Sequence, residues 1–199
     1  MLKLGKVFLF CLLILSGCSD RTNDSESILV VAKTEKSKDP EQPPSPPPHP
    51  YSYYGRFNFM FDRDGKLYFY QHFWDRKKKP VSVIDFDSNA PVFISLNPNQ
   101  IVEVPENGLK AFVEQNVLNA EQADKDVRVV GATDTIKSKI LDPLLKVLTD
   151  TSNHVNFSIR KMTYEEGVVL QYKKSQEFYY PEKVNWDSTK VLFDRKRME

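Results

Sequence analysis

Residues 57–70, FNFMFDRDGKLYFY, decide the fold because they predict a β-hairpin with aromatic rings on both faces. Alternating apolar side chains predict one strand over 53–61 and a return strand over 66–73. DRDG at 62–65 predicts the turn between them, since Asp-Gly readily supplies the positive φ that tight hairpins need. The first strand has Phe57, Phe59 and Phe61 on one face. The return strand has Leu67, Phe69 and Phe73 on one face and Tyr68, Tyr70 and His72 on the other.

The rings of this hairpin leave two hypotheses open. In one, the hairpin packs between the main sheet and a helix or a partner, and the rings form core or interface. In the other, exposed tyrosine and tryptophan rings on a rigid ribbon stack on sugars and bind glycan or peptidoglycan. The candidate binding residues are then Tyr54, Tyr68, Tyr70 and Trp74.

Beyond residue 90 the chain alternates between strand and helix patterns. Strands are predicted over 92–96, 101–104 and 127–130, with a turn at Asn97-Pro98-Asn99. Apolar residues at helical spacing predict a first helix, along Leu109, Phe112, Val113 and Val117.

A second helix is predicted by four more apolar residues at helical spacing: Ile136, Ile140, Leu144 and Leu148. Thr133 or Asp134 can cap this helix. Pro143 lies inside the stripe, so we expect a kink there, or a restart of the helix with Asp142 as its cap.

Two further strands, over 155–159 and 168–172, complete the pattern. This order predicts an α+β fold, in which an aromatic β-hairpin is followed by a strand–helix–strand–helix–strand unit on one mixed sheet.

The first twenty residues, MLKLGKVFLFCLLILSGCSD, have the parts of an export signal. Lys3 and Lys6 give it a positive start, and 7–15 is an apolar run shorter than the about 20 residues that span a bilayer. Leu15-Ser16-Gly17-Cys18 resembles the lipobox of bacterial lipoproteins. The resemblance implies cleavage before Cys18, acyl chains such as palmitate on its thiol, and, by the enteric sorting rule for the serine that follows, anchoring in the outer membrane.

The prolines and polar residues after the cysteine predict a tether. DPEQPPSPPPHP at 39–50 holds seven prolines, which favour an extended polyproline II spacer over a ligand for a proline-recognising domain. Residues 28–32 could be a small strand, but one that stands alone. We expect four segments in all: a signal peptide at 1–17, the lipidated cysteine and tether at 18–50, a single α+β domain at 51–180 and a polar C-terminal tail at 181–199.

Charge and cysteine content exclude several classes of protein. Cleavage removes Lys3 and Lys6 from 28 basic residues, so 26 face 27 acidic ones and the mature chain carries −1. This near-neutral charge argues against a nucleic-acid binder, which usually has a strongly basic patch. Cys11 leaves with the signal, so the mature domain has no disulfide and no thiolate metal site.

No residue pattern predicts catalysis, a metal site or a cofactor. Asp62-x-Asp64-Gly65 resembles the start of a calcium loop but lacks the later ligands, so the hairpin turn explains it. Asp85 and Asp87 share one face of a strand. Two interpretations of them stay open: a metal site or acid–base pair, and the exposed edge of a strand. The histidines have no ligand spacing between them: His49, His72 and His154.

Two stretches, FISLNPNQIVEVPENGLKAFVEQ from residue 93 and DVRVVGATDTIKSKILDPLLKVLTDTSNHVNFSI from residue 126, run strand, turn, strand, helix, strand, helix, strand. In this order, residues 92–160 resemble the periplasmic domain of the ExbD/TolR family, with Gly131-Ala132-Thr133-Asp134 where that family commonly has Ala-Asp-x-x-Val. The family's membrane helix, with its proton-handling aspartate, is replaced here by a lipidated signal. The resemblance therefore implies the fold and a tendency to dimerise or bind envelope partners, but no proton role.

The sequence as a whole predicts a non-enzymatic envelope lipoprotein that acts as a protein-interaction module with an ExbD/TolR-like unit. Its expected partners are the membrane, through lipid on Cys18, an envelope protein and a second copy of the chain. Binding of glycan or peptidoglycan by the hairpin is the alternative, and an enzyme whose site the sequence does not reveal is a third hypothesis.

Overall fold

The computed structural model of the chain describes residues 26–31, 53–73 and 90–193. The fold is α+β, as predicted, with a five-stranded mixed sheet and a separate two-stranded antiparallel sheet. The strands are β1 (Ser27–Val30), β2 (Phe57–Phe61), β3 (Leu67–Gln71), β4 (Val102–Glu103), β5 (Asp126–Gly131), β6 (Thr135–Ser138) and β7 (Asn156–Lys161). The helices are α1 (Leu109–Val113), continued by a π-helical turn over Glu114–Leu118, α2 (Leu141–Thr149) and α3 (Tyr164–Ser175).

The main sheet is the middle layer of the domain and has the order β4-β3-β2-β5-β7. Strands β2 and β3 are antiparallel, whereas β2, β5 and β7 run parallel to one another. Helices α1 and α2 pack on one face of the sheet and α3 packs on the other. The small sheet of β1 and β6 lies on the α1 and α2 side, since Leu29 and Ile136 belong to that core.

The predicted hairpin is confirmed, and it forms the centre of the main sheet. Its turn closes where the Asp62 N–H donates to the Lys66 carbonyl at 3.0 Å, and Gly65 has the expected positive φ of 76°. The phenylalanines of β2 face α1 and α2, whereas Tyr68 and Tyr70 face the side of α3. Because helices cover both faces of the sheet, the rings of β2 and β3 are buried on both faces, whereas Phe73, which was expected on the same face as Leu67 and Phe69, follows the end of β3 and is 62% exposed.

The segment before β4 differs from the prediction. The strand predicted over 92–96 is wrong: Val92 makes one isolated bridge to Leu192, and Ser95 adopts a left-handed φ of 59°. The turn at Asn97 is confirmed as a short 3₁₀ helix, Pro98–Gln100, whose Asn99 N–H donates to the Asn97 side chain at 3.0 Å. The short strand predicted over 101–104 is confirmed as β4.

The second helix begins later than predicted. Thr133 and Asp134 are not its cap, because residues 135–138 form β6 and pair with β1. The helix restarts at Leu141, after Ile140, and Asp142 lies inside it and is not its cap. Pro143 therefore falls in the first turn of the helix. A backbone N–H in this turn has no helical acceptor, so the proline costs no hydrogen bond.

The strand predicted over 168–172 is wrong, because these residues lie inside α3. Thr163 and Glu166 form a capping box at the start of this helix: the Thr163 hydroxyl accepts from the Glu166 N–H at 3.2 Å, and the Thr163 N–H donates to Glu166 Oε2 at 2.8 Å. Two backbone donors at the helix start are thereby satisfied, which favours a helix over a strand here.

Both ends of the described chain pack on the domain. The strand expected to stand alone near residue 28 is β1, paired with β6, so part of the predicted tether is docked. Val191 is buried and the Leu192 N–H donates to the Pro91 carbonyl at 2.9 Å, so the domain includes residues that were assigned to the polar tail. The proline-rich stretch at 39–50 lies outside the described residues.

Candidate functional site at the strand ends

An open groove of about 960 Å³ lies where the three parallel strands end. Asp62, Ala132 and Met162 directly follow β2, β5 and β7, and all three line this strand-end groove. One side of α3 forms its wall, including Gly167 and Lys174. Open α/β sheets bind ligands outside the carboxyl ends of parallel strands, so the position is typical of a functional site.

Ion pairs across the groove join the hairpin turn to α3. Lys174 Nζ lies 2.6 Å from Asp62 Oδ2 and 3.1 Å from Asp64 Oδ2. The other oxygen of Asp62 accepts from the N–H groups of Asp64 and Lys66, both at 2.9 Å. Hydrogen bonds to the two carboxylates raise the pKa of Lys174. The side chain of Asp62 is 4% exposed, whereas Asp64 is exposed. Because exposed ion pairs contribute little, the Lys174–Asp62 pair fixes the rim of the groove more firmly than the Lys174–Asp64 pair.

A buried carboxylate, Glu166, lies beneath the start of α3. Both terminal nitrogens of Arg160 donate to it at 2.7 Å in a two-pronged arrangement. The Tyr70 hydroxyl donates to Oε1 at 2.6 Å and the Thr163 N–H to Oε2 at 2.8 Å. Burial alone would raise the pKa of Glu166, but the charge and hydrogen bonds of Arg160 hold it below its ordinary value. Each oxygen accepts two hydrogen bonds, so this carboxylate is committed to holding β3, β7 and α3 together.

The neighbouring carboxylate, Glu165, holds the loop that precedes β4. Its two oxygens accept from the Ile94 N–H at 2.8 Å and the Leu96 N–H at 2.7 Å. Between these two donors, Ser95 adopts its left-handed conformation. Burial raises the pKa of Glu165 to about 7, against the opposing effect of these backbone donors. The loop is therefore fixed on α3 by a group that titrates near neutral pH.

Gly167 leaves a stretch of the groove wall without a side chain. It lies inside α3, its φ is not positive, and a Cβ built there would meet only Met162 Sδ, at 3.9 Å. Glycine inside a helix costs about 0.5–1 kcal/mol relative to alanine. Neither the backbone conformation nor the internal packing requires glycine here, and its effect is to keep the groove open.

A second open groove, of about 530 Å³, adjoins the first at the turn from β7 into α3. Both grooves share Met162, Thr163 and Tyr164. The lysines of the second groove already have partners within the chain, Lys161 with Asp134 and Lys190 with Asp187. The two grooves together make an extended depression around the start of α3.

Three of the four predicted binding residues are core residues. Tyr54, Tyr68 and Tyr70 are at most 3% exposed, so none offers a ring face on which a sugar could stack. Tyr70 instead donates to Glu166. Trp74 lies outside the described residues.

The other candidates do not converge on one site in the part of the chain that the structure describes. Within 26–31, 53–73 and 90–193, no group of three or more His, Cys, Asp or Glu residues could hold a metal ion. His154 is exposed and ends a short 3₁₀ turn at a left-handed φ of 51°, and His72 packs against Tyr54 with ring centroids 5.8 Å apart. The remaining candidates lie outside the described residues: Cys18, His49, Asp85 and Asp87.

The sequence reasoning missed Arg160, Glu165 and Glu166. One signal was available, because Thr163-x-x-Glu166 has the spacing of a capping box and marks a helix start. The burial of Glu165 had no such signal, since its donors belong to a loop about seventy residues earlier in the chain.

Comparison with known proteins found no matching family model, no matching curated protein and no matching solved structure. Among the residues described, none of the helices is both long and apolar enough to cross a membrane.

Proposed function

We propose that this chain is an envelope lipoprotein, anchored by lipid on Cys18, that acts as a protein-interaction module and holds an extended segment of a partner protein in the strand-end groove. The observation that carries the proposal is Gly167. A helix-interior glycine lowers stability, and a Cβ at that position would make only an ordinary contact, 3.9 Å from Met162 Sδ. A side chain at position 167 would obstruct the strand-end groove, which is open to a partner.

The shape of the site favours a polypeptide segment over a small solute. Sites for small molecules usually enclose most of their ligand, whereas this groove is open and continues into the second one at Met162, Thr163 and Tyr164. Of the four charged side chains that line the groove, Asp62, Asp64 and Lys174 are paired with one another, and Arg63 is exposed. An extended segment would therefore bind mainly through shape and apolar contact, for example with Met162, and could add one charged contact with Arg63.

The ExbD/TolR-like part of the proposal is supported by the order β4, α1, β5, α2, β7. Two features depart from the order quoted for that family: the loop at 90–97, where a strand was expected, and the additional strand β6. We propose a related envelope-partner role without enzymatic activity and without a proton-handling residue.

A photoreactive residue in the groove tests the binding proposal. Gln171 is exposed and lines the groove, whereas Lys110 is exposed on α1, on the other face of the sheet. Irradiated cells should yield one defined protein adduct from position 171 and none from position 110. Gly167→Trp should remove that adduct while the chain stays folded. Equal adducts from both positions, or an adduct that survives Gly167→Trp, would contradict the proposal.

The lipid anchor has its own test. Cys18→Ala should abolish incorporation of labelled palmitate and leave the chain unprocessed or soluble, because the thiol that carries the acyl chains is gone. A Cys18→Ala chain that still incorporates palmitate and sediments with membranes would overturn the anchor.

A further inference from the structure

The docking of β1 shortens the link between the proposed anchor and the domain. Eight residues, 19–26, separate Cys18 from Ser27, the first residue of β1. A link of this length reaches about 30 Å when fully extended, and it spans about 16 Å on average if flexible. A domain of this size has a radius of gyration of about 14 Å and thus a width of about 35 Å. The link is shorter than the domain is wide, so the β1 side is held towards the membrane.

The outward face of β1 is apolar and has a basic neighbour. Ile28 is 65% exposed and Val30 is 53% exposed, whereas Leu29 between them packs on the core. Lys137 lies opposite Ile28 on β6 and is also exposed. This combination suits a phospholipid surface, where apolar side chains enter the acyl boundary and lysine meets anionic headgroups.

We infer that the outer face of the β1–β6 ribbon, Ser27–Val30 with Thr135–Ser138, rests on the phospholipid surface in which Cys18 is anchored. The inference rests on the lipid anchor of the proposed function and adds the orientation of the domain. Lipid then covers the exposed Ile28 and Val30. Along the chain, the proline-rich stretch at 39–50 connects β1 to β2 and does not connect the anchor to the domain.

This orientation also sets where a partner meets the groove. The hairpin turn that rims the strand-end groove contacts β6, since the Ser138 hydroxyl donates to the Gly65 carbonyl at 2.6 Å. The hairpin turn therefore lies beside the ribbon, whereas the α3 wall of the groove lies on the other side of the main sheet. A partner segment would then meet this wall from the side that faces away from the membrane.

Photoreactive residues on opposite sides of the domain test the orientation. Lys137 lies on the ribbon, whereas Glu177 is exposed just after α3, on the other side of the main sheet. The full lipidated chain, carrying the photoreactive residue at one of these positions, is reconstituted into vesicles of phosphatidylethanolamine and phosphatidylglycerol. Mass spectrometry then measures covalent phospholipid adducts. We expect several-fold more lipid adduct at position 137 than at 177; equal yields, or adducts between two copies of the chain at 137, would overturn the inference.

A longer link provides the matched control. A flexible insert of about 30 Gly and Ser residues before residue 26 raises the average span to about 35 Å. It should reduce the adduct at 137 to the level at 177 while the chain still floats with the vesicles, and an unchanged ratio would count against the short link as the cause.

Failure of the anchor and failure of the orientation give different results. A chain that incorporates no palmitate and does not float shows that the anchor proposal is wrong. In that case the same comparison of positions 137 and 177 is made after coupling Cys18 of the mature chain to a maleimide phospholipid. A higher adduct yield at 137 then supports the ribbon as the membrane face, and equal yields refute it.

Discussion

Loss of Arg160 would leave Glu166 as a buried carboxylate without its cation. The side chain of Glu166 is 0% exposed and that of Arg160 is 11% exposed, so water cannot replace the missing partner. Removing one member of a buried ion pair costs about 3–5 kcal/mol. Tyr70 and Thr163 would still donate one hydrogen bond each. We therefore expect Arg160→Met to lower the free energy of unfolding by about 3 kcal/mol, the lower end of that range.

Urea unfolding of the mature chain with Cys18→Ala, followed by circular dichroism, measures this cost. Arg160→Lys keeps the charge but loses the two-pronged contact, so its loss should be smaller. Adding Glu166→Gln to Arg160→Met should recover part of the stability, with a coupling of about 1–3 kcal/mol, because the buried amide is neutral. A loss below about 1 kcal/mol for Arg160→Met, the size typical of exposed pairs, would refute this account of the network.

The free energy of unfolding should depend on pH in opposite directions in the natural chain and in Arg160→Met. In the natural chain the pKa of Glu166 is held below its ordinary value, so its contribution is present above that value and is lost as the pH falls. Without Arg160, burial dominates and raises the pKa of Glu166, so stability is instead lost as the pH rises. The difference between the two proteins should therefore grow between about pH 5 and pH 8.

Three further predictions follow from other positions. Because burial raises the pKa of Glu165 from 4.5 to about 7, its contribution to stability should be lost as the pH rises through 7, and Glu165→Gln should remove that slope from unfolding curves. Gly65→Ala should cost about 2–4 kcal/mol in urea unfolding, since φ is positive and a Cβ would clash with the Lys137 carbonyl; an unchanged midpoint would count against the turn geometry. Leu29→Asp should speed amide exchange in β1 and β6 and leave the main sheet protected, because β1 packs only at the edge of the core.

The local patterns predicted the hairpin well, and the tertiary environment explains why other elements were missed. Gly65 and the alternation around it are local features, so the turn and both strands were found. Ile136 and Ile140 have helical spacing, yet they share a hydrophobic core and not a helix, since Ile136 lies in β6 and Ile140 precedes α2. A short apolar run such as that at 168–172 suits a strand or a helix equally, and the cap at Thr163 decides it.

The candidate site depended on distant contacts and was not predicted. The Tyr70 hydroxyl meets Glu166 across 96 residues of chain, and Glu165 takes its donors from a loop of irregular structure. A carboxylate in a sequence is ordinarily an exposed residue, so neither burial could be expected. The rings of Tyr54 and Tyr70 are ambiguous in the sequence for the same reason, because the pattern at 168–172 predicts a strand where α3 covers that face of the sheet.

Substitution of Gly167 tests the central claim most directly, since stability and binding should change in opposite directions. Gly167→Ala should raise the free energy of unfolding by about 0.5–1 kcal/mol and reduce the yield of the adduct formed from a photoreactive residue at Gln171. Gly167→Trp should stay folded, because a Cβ at position 167 meets only Met162 Sδ, at 3.9 Å, and the indole ring would extend into the open groove that this position lines. It should lose that adduct. If Gly167→Trp forms the adduct as well as the natural chain does, the strand-end groove is not where the partner binds.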